Sequence, residues 1–186
     1  RWTPLALWAE HCTFRRGFVV AGTMHIAGRS DARRLADLMR AHDARLLGEL
    51  RLVFADRTPP RGLAALAQAA LDRLRVLRAG EHGRGNRVAR ALTSQPTLIL
   101  RVLDLRRSGL TDEGLVALAG SPALGRLRAL HLQQNLVTAR GVAALAASPA
   151  LAGLELLDLR HNPIGADGAA ALAASPHLDS LTALHL

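Results

Sequence analysis

The chain has 186 residues, of which 49% are apolar but only 3% aromatic, so it can form one domain with a core of Leu, Ala and Val. Its formal net charge is +9, yet all 24 basic residues are Arg, and the abundance of Ala, Leu and Gly beside them indicates the codon bias of a GC-rich genome. A single cysteine excludes an internal disulfide framework and a paired-thiolate metal site, and no apolar run approaches the ~20 residues of a membrane span. No segment resembles a signal peptide, and we therefore expect a soluble, cytoplasmic protein without cofactors.

The first 22 residues differ from the rest because they hold both tryptophans and two of the three phenylalanines. Thr3-Pro4 predicts the start of a short helix that bears Trp2, Trp8 and Phe14, and we expect Cys12 to lie on the packed face of this helix. Bulky aromatic side chains can cover the open end of a stack of similar units. Residues 1–22 are accordingly predicted to form an N-terminal capping segment.

Residues 23–97 are predicted to contain degenerate repeats of a leucine-rich unit. Leu47-x-x-Leu50-x-Leu52 precedes Leu74-x-x-Leu77 by 27 residues, and Met24-His-Ile26 precedes Leu50 by 26. Between these strand-like segments, Ser30 can cap one helix and Pro59-Pro60 can open another.

The glycine-rich segment Gly80–Arg87 is the best candidate for an anion site. Its glycines would let backbone amides approach a phosphate, and Arg84 and Arg87 could pair with that phosphate. The second interpretation is that this segment only connects a strand ending near Ala79 to the following helix, and that its glycines serve only to let the chain turn. This interpretation is the preferred one.

From residue 98 to residue 186, four columns of residues recur every 27 positions without slippage. The alternation Leu-x-Leu predicts a short strand buried on one face, the Ala-rich segment after it predicts a helix, and proline ends that helix. Because strand and helix alternate, all strands point the same way, and the array should curve with strands inside and helices outside. The columns are Leu103, Leu130, Leu157 and Leu184; Gly114, Gly141 and Gly168; Leu118, Leu145 and Leu172; Pro122, Pro149 and Pro176.

The unit Leu154-x-x-Leu157-x-Leu159-x-x-Asn162-x-Ile164 resembles the leucine-rich repeat, and its period and full helix are similar to the ribonuclease-inhibitor-like class. The resemblance implies an α/β solenoid, a right-handed βα superhelix in a horseshoe arc, with parallel strands on the concave face and helices on the convex face. It also implies a buried ladder in which the Asn side chain binds backbone groups of the neighbouring repeat. Asn135 and Asn162 occupy that position and Ser108 departs from it, so we expect a weaker ladder there. The segment Phe14–Val19 is in addition similar to one that precedes repeats in some uncharacterised bacterial proteins.

The residue between the two strand leucines points away from the core, so successive units align it in one column on the inner face. Alternating Asp and His in that column could suggest a metal or acid–base site. Ligands spread along a curved sheet do not converge as tetrahedral coordination demands, and cross-strand charge pairing is the preferred interpretation. The column is predicted to contain His25, Arg51, Arg78, Asp104, His131, Asp158 and His185. Two further columns run beside it, Arg106, Gln133 and Arg160, and then Arg107, Gln134 and His161.

No motif for nucleotide, zincin, serine-hydrolase or zinc-finger chemistry is present, and we expect neither catalysis nor a metal site. The resemblance implies a non-catalytic protein-binding scaffold, or the recognition segment of a larger regulatory protein, that contacts another protein through the concave face. The predicted contact residues are Asp104, Arg106, Arg107, His131, Gln133, Gln134, Asp158, Arg160, His161 and His185.

Two alternatives concern other surfaces. Residues 1–100 hold 17 Arg against 8 acidic residues, so this half could bind nucleic acid or another anionic surface, although few aromatics are present to stack on bases. The chain starts without Met and stops on a strand-like segment, which indicates a fragment of a longer protein. Leu184 and Leu186, with no helix after them, could then contact another chain end to end.

Overall fold

The computed structural model describes residues 11–15, 18–26, 37, 46–54, 71–80, 83–95 and 98–186. Within these ranges the chain forms eight strands and four α-helices. The strands are β1 (His11–Arg15), β2 (Phe18–Ile26), β3 (Glu49–Phe54), β4 (Val76–Arg78), β5 (Val102–Asp104), β6 (Ala129–His131), β7 (Leu156–Asp158) and β8 (Ala183–His185). The helices are α1 (Gly85–Thr93), α2 (Asp112–Ala119), α3 (Ala139–Ala146) and α4 (Gly165–Ala173).

The eight described strands form one sheet in chain order. Strands β1 and β2 pair antiparallel, and every later neighbour pair is parallel. Parallel neighbours require a crossover connection, which α1, α2, α3 and α4 supply between successive strands from β4 onward. The predicted α/β solenoid is confirmed. None of the helices that the structure describes is long and apolar enough to cross a membrane.

The core lies between the sheet and the helix layer and is built mainly from leucine. Leu103 and Leu105 of one unit, and Leu130 and Leu132 of the next, are almost completely buried. Leu145 faces them from α3. Neighbouring helices pack against one another, so each unit covers the leucines of the next and one continuous core results.

Polar groups at both ends of the helices link neighbouring units. The Ser148 hydroxyl donates to the carbonyl of Ala119 at the end of α2, and the Ser175 hydroxyl donates to Ala146 at the end of α3. At the helix starts, the carboxylate of Asp112 accepts hydrogen bonds from the amide and hydroxyl of Thr138, at 2.8 and 2.6 Å. These bonds satisfy terminal backbone groups that a helix leaves without partners.

The strand register confirms the leucine column but corrects its N-terminal end. Leu50, Leu77, Leu103, Leu130, Leu157 and Leu184 form one row across the sheet. The sequence predicts that His25 precedes Arg51 in the neighbouring column, and this is wrong, because Thr23 pairs with Arg51 and His25 pairs with Val53. Met24 pairs with Leu52 and Ile26 pairs with Phe54, and all four side chains are buried. Gly22 pairs with Leu50 and therefore takes the leucine position of the row in β2.

The prediction of an N-terminal helix is wrong at the two of its positions that the structure describes. Cys12 and Phe14 belong to β1, whose pairing with β2 is irregular between Thr13 and Phe14. Threonine, valine and phenylalanine favour strands, and β1 covers the outer edge of β2 that would otherwise leave backbone groups unpaired. The predicted start at Thr3-Pro4, with Trp2 and Trp8, lies outside the described residues, as do the helices expected after Ser30 and Pro59-Pro60.

The packing leads to a test with a matched pair of substitutions. Leu145 is fully buried, whereas Leu136 is 61% exposed. We expect Leu145→Ala to lower the free energy of unfolding by about 2–5 kcal/mol, because it leaves a cavity, and Leu136→Ala to lower it by less than about 1 kcal/mol. Chemical denaturation measures both values, and equal losses would contradict the described core.

Candidate functional site

The solvent side of the sheet, opposite the helices, is here called the strand face. It consists of the outward side chains of β3 to β7 and of the loops that follow β5, β6 and β7. Asp104 and Asp158 lie on its floor and are only 4% and 2% exposed. The sequence predicts that both side chains point away from the leucine core, but they are buried because an arginine two positions later covers each of them.

Two units build the same aspartate–arginine pair. In the first, Arg106 donates to both carboxylate oxygens of Asp104, with Nε–Oδ1 at 2.9 Å and Nη2–Oδ2 at 2.6 Å. In the second, Arg160 binds Asp158 in the same way, at 3.0 and 2.7 Å. Residues i and i+2 of an extended segment share a face, which places each guanidinium directly over its carboxylate.

The unit between these two pairs has no aspartate–arginine pair of its own. His131 and Gln133 occupy the corresponding positions, and His131 stands in register between Asp104 and Asp158. The side-chain amide of Gln133 donates to Asp158 instead. Gln133 thereby bonds the middle unit to the second pair, and the charge of His131 interacts with both Asp104 and Asp158, so one electrostatic network extends across three strands.

The network changes the titration of its members. Burial alone would raise the pKa of Asp158, but hydrogen bonds from Arg160 and Gln133 outweigh burial and lower this pKa to about 2. Burial is outweighed at Asp104 as well, where hydrogen bonds and charge from Arg106 lower the pKa. Burial lowers the pKa of His131, with Asp104 acting in the opposite direction. Both carboxylates are therefore charged at neutral pH.

An open pocket of about 380 Å³ lies on the N-terminal part of the strand face. Arg78 crosses it, with its Nε 3.0 Å from the Glu49 carboxylate and its Nη1 3.7 Å from Asp104. The lack of a side chain at Gly80 lets the backbone of Arg106 approach closely on one side of the pocket, because a Cβ atom there would lie 2.4 Å from the carbonyl oxygen of Arg106. The pocket is lined by Arg51, Leu52, Arg78, Gly80, Asp104, Arg106, Arg107 and Gln133.

The outer column of the strand face has a strained backbone. Arg107, Gln134 and His161 have φ angles of 53°, 54° and 58°, in the left-handed region that residues other than glycine seldom adopt. Backbone bonds hold this conformation, since the amide of Arg107 donates to Gln133 and the amide of Gln134 donates to Arg160. All three side chains are exposed, and Arg107 donates through Nε to the side-chain oxygen of Gln134.

Asn135 lies next to this column and connects the backbone of its own unit to that of the preceding unit. Its side-chain oxygen accepts from the amides of Ser108 and Leu110, both at 3.0 Å. Its side-chain nitrogen donates to the carbonyls of Leu105 and Leu132, at 2.9 and 2.8 Å. One buried side-chain amide thus binds four backbone groups, three of them in the preceding unit.

Asn162 repeats most of these contacts in the next unit. Its nitrogen donates to the carbonyls of Leu132 and Leu159, and its oxygen accepts from the amide of Val137 at 3.2 Å. Ser108 is too short to reach the preceding unit in this way, and its hydroxyl instead donates to Asn135 at 3.2 Å.

The structure brings together most of the predicted contact residues but not all of them. Asp104, Arg106, Arg107 and Gln133 meet at the pocket, whereas Asp158 and Arg160 form the neighbouring pair. His161 and His185 are exposed farther along the face, and His185 belongs to β8, the last described strand. The pocket also contains Arg51 and Arg78, which the predicted contact set omits. Both lie in the same column as Asp104, and this position in the repeat is the sequence feature that could have identified them.

The glycine-rich segment Gly80–Arg87 has structural roles where it is described. Gly83 has a φ of 64°, and α1 begins at Gly85, where a Cβ atom would lie 2.4 Å from the Ser108 hydroxyl oxygen. Glu81 and His82 lie outside the described residues. Turning and close packing thus account for the glycines, and an anion site at Arg84 and Arg87 stays a prediction.

In the part of the chain that the structure describes, no three His, Cys, Asp or Glu side chains are grouped so that they could hold a metal ion. The Cys12 thiol on β1 has a pKa raised by burial, which keeps it in its neutral form.

Comparison with known proteins supports the repeat architecture. A family model described as leucine rich repeat matches residues 99–119 and 154–173. The fold is similar to that of the tropomodulin C-terminal domain from Caenorhabditis elegans, with a TM-score of 0.52 and 14% sequence identity over 84% of this chain and 82% of that one. At this identity the likeness shows the fold alone. No curated protein sequence gives a significant match.

The depressed pKa of Asp158 predicts a pH dependence. Its folded-state pKa of about 2 lies below the ordinary 3.8, so its charged form stabilises the fold above about pH 4 and this contribution disappears as the pH falls through about 2. Asp158→Asn should lower the free energy of unfolding at pH 7 by roughly 1–3 kcal/mol and much less at pH 2.

Urea denaturation across this pH range measures the effect, and Asp179→Asn, at an exposed aspartate, is the control that should follow the parent chain. A constant difference between Asp158→Asn and the parent chain at every pH would contradict the described network.

Proposed function

Because the chain is a leucine-rich repeat protein, we propose that it is a non-catalytic scaffold that binds another protein through its strand face. Domains of this family commonly act as protein-binding scaffolds. The observation that carries the assignment to the strand face is the network in which Asp104 and Asp158 hold Arg106 and Arg160 in fixed positions.

Fixed arginine side chains favour binding because their conformational freedom is already lost before a partner arrives. Immobilising a long side chain on association costs about 0.5–1.5 kcal/mol, and a bidentate pair with a buried carboxylate avoids part of this cost. Arg106 and Arg160 keep 46% and 49% of their side-chain surface exposed while they are held. Arginine is also among the residue types that contribute most to binding energy at protein interfaces.

The outer column offers further donors and acceptors on the same surface. This column consists of Arg107, Gln134 and His161, one residue from each unit. The side chains of Asn135 and Asn162 bind the backbone close to it. Strained backbone that the surrounding structure holds in place is typical of functional sites. In this proposal residues 98–186 form the regular frame, residues 23–97 extend it, and residues 1–22 belong to the cap, with the boundary at residue 22 falling inside β2. The cytoplasmic location stays a prediction.

The proposal is tested by shortening the outer column without disturbing its backbone. Asparagine tolerates the left-handed conformation, so Arg107→Asn/Gln134→Asn/His161→Asn should change the free energy of unfolding by less than about 1 kcal/mol. Binding to a partner captured from the native cell should weaken by about tenfold or more, because contacts are lost at the interface. Surface plasmon resonance with the purified partner gives the affinities.

The matched control lies on the helix layer, at the exposed residues Arg140 and Asp167. Arg140→Gln/Asp167→Asn should leave affinity within about twofold of the parent chain. Loss of binding in this control, with full binding in the outer-column variant, would move the contact surface to the helices and contradict the proposal.

A further inference from the structure

We propose that the edge of the sheet at which β4, β5 and β6 begin binds the phosphate backbone of duplex nucleic acid, with Arg75, Arg101 and Arg126 as the contact residues. These three residues, together with Arg128, are here called the arginine edge. The inference goes beyond the proposed function, because it gives the chain a second binding surface and a second class of partner.

The backbone holds three of these arginines in one column across neighbouring units. Each immediately precedes the first residue of its strand, and these first residues are paired in register. The carbonyl of Arg75 accepts hydrogen bonds from the amides of Arg101 and Val102, at 2.7 and 3.0 Å. The carbonyl of Arg101 accepts in the same way from Arg128 and Ala129, at 2.8 and 2.9 Å. Since neighbouring strands lie about 4.8 Å apart, the column spans roughly 10 Å.

The side chains of this edge differ in their contacts. Arg75, Arg101 and Arg126 are exposed. None of the three side chains belongs to an ion pair or a hydrogen bond within the part of the chain that the structure describes. Arg128 donates to a backbone carbonyl of the next unit at 2.6 Å, and its Nε lies 3.3 Å from the Glu155 carboxylate. The guanidinium groups that can take an external anion therefore lie on the N-terminal side of Arg128.

The sequence offers almost no carboxylate to neutralise these groups within their own units. Residues 57–80 contain a single acidic residue, Asp72, and neither residues 82–103 nor residues 114–154 contain any. Arg101 lies in the middle unit of the three, so the segments on both sides of it are basic or uncharged apart from Asp72. An anion that approaches this edge consequently meets little repulsion.

The composition of the edge favours a duplex over other anionic partners. A protein interface needs an apolar centre, but none of the large apolar side chains described as exposed lies in residues 71–76, 98–102 or 120–130. Single-stranded nucleic acid binds largely by stacking bases on aromatic side chains, and these segments contain none. A duplex keeps its bases inside and presents phosphates outward, which a guanidinium can bind through two parallel N–H donors.

The experiment measures fluorescence anisotropy of a labelled DNA duplex at several salt concentrations. Each phosphate contact contributes about 0.9 to the slope of log affinity against log salt, so three contacts should lower affinity on the order of 40-fold between about 50 and about 200 mM salt. In Arg101→Gln/Arg126→Gln the slope should become shallower by about 2, and affinity at the lowest salt should fall at least about tenfold.

The control variant removes two charges from the helix layer. Arg87 on α1 and Arg140 on α3 are exposed, and Arg87→Gln/Arg140→Gln should leave the slope unchanged and the affinity within about twofold of the parent chain. Thermal unfolding of each variant verifies that the fold is retained. Equal losses in the two variants would show attraction by net charge alone and overturn the proposal.

The choice of ligand tests the chemistry of the contact. Two duplexes of different sequence should bind within about threefold of each other, because phosphate contacts carry no sequence information. Strong discrimination between them, or a single strand that binds more tightly than the duplex, would show that bases are contacted and overturn the proposal. A peptide of alternating Glu and Ser that binds more tightly than the duplex would assign the edge to a protein and overturn it as well.

This inference and the proposed function can fail separately. Arg107→Asn/Gln134→Asn/His161→Asn should bind the duplex within about twofold of the parent chain, because these residues lie on the strand face and not at the arginine edge. If the duplex fails to bind at low salt while the captured protein partner still depends on those three residues, the inference is wrong and the proposed function stands. If the duplex binds as described and the protein partner is indifferent to them, the proposed function is wrong.

Discussion

Parallel pairing of successive strands in one fixed register is the constraint on which the rest of the structure depends. A single unit cannot bury its own leucines, and each is covered only when the next unit places its strand and helix alongside. Burial of one leucine side chain stabilises the fold by about 1.5–3 kcal/mol, so the row from Leu50 to Leu157 sets the register strongly. A slip by one residue would exchange buried leucines for the polar column beside them.

The same register creates the strand face. Once the leucines point inward, Arg51, Arg78, Asp104, His131 and Asp158 must form a single column on the other side. Burying a carboxylate is costly unless it is paired, and the arginine two positions later supplies the pairing at Asp104 and Asp158. The middle unit has His131 and Gln133 instead, and Gln133 donates a hydrogen bond to Asp158 of the next unit.

The periodic parts of the molecule could be predicted from the sequence because a 27-residue spacing repeats without slippage. The leucine row and the order of the columns follow from the alternation of inward and outward side chains along each strand. The parallel strands follow from the alternation of strands and helices along the chain. Two features could not be found in this way. Gly22 occupies the leucine position in β2, so Thr23 and not His25 belongs to the outward column beside it. No local sequence pattern indicates that a glycine belongs to a row of leucines. Side-chain alternation places Asp104 on the solvent side but does not show that Arg106 folds back to bury it.

Arginine-selective chemical footprinting in the presence of a bound partner tests the central claim most directly, because the chain has 24 arginines and no lysine, and the arginines that the structure describes lie both on the strand face and outside it. A dicarbonyl reagent followed by peptide mass spectrometry reports the reactivity of each guanidinium with and without the partner. The account predicts that the partner protects Arg106, Arg107 and Arg160 while Arg126 and Arg140 react as in the free chain. Protection of Arg126 and Arg140, with unchanged reactivity of the arginines on the strand face, would contradict it.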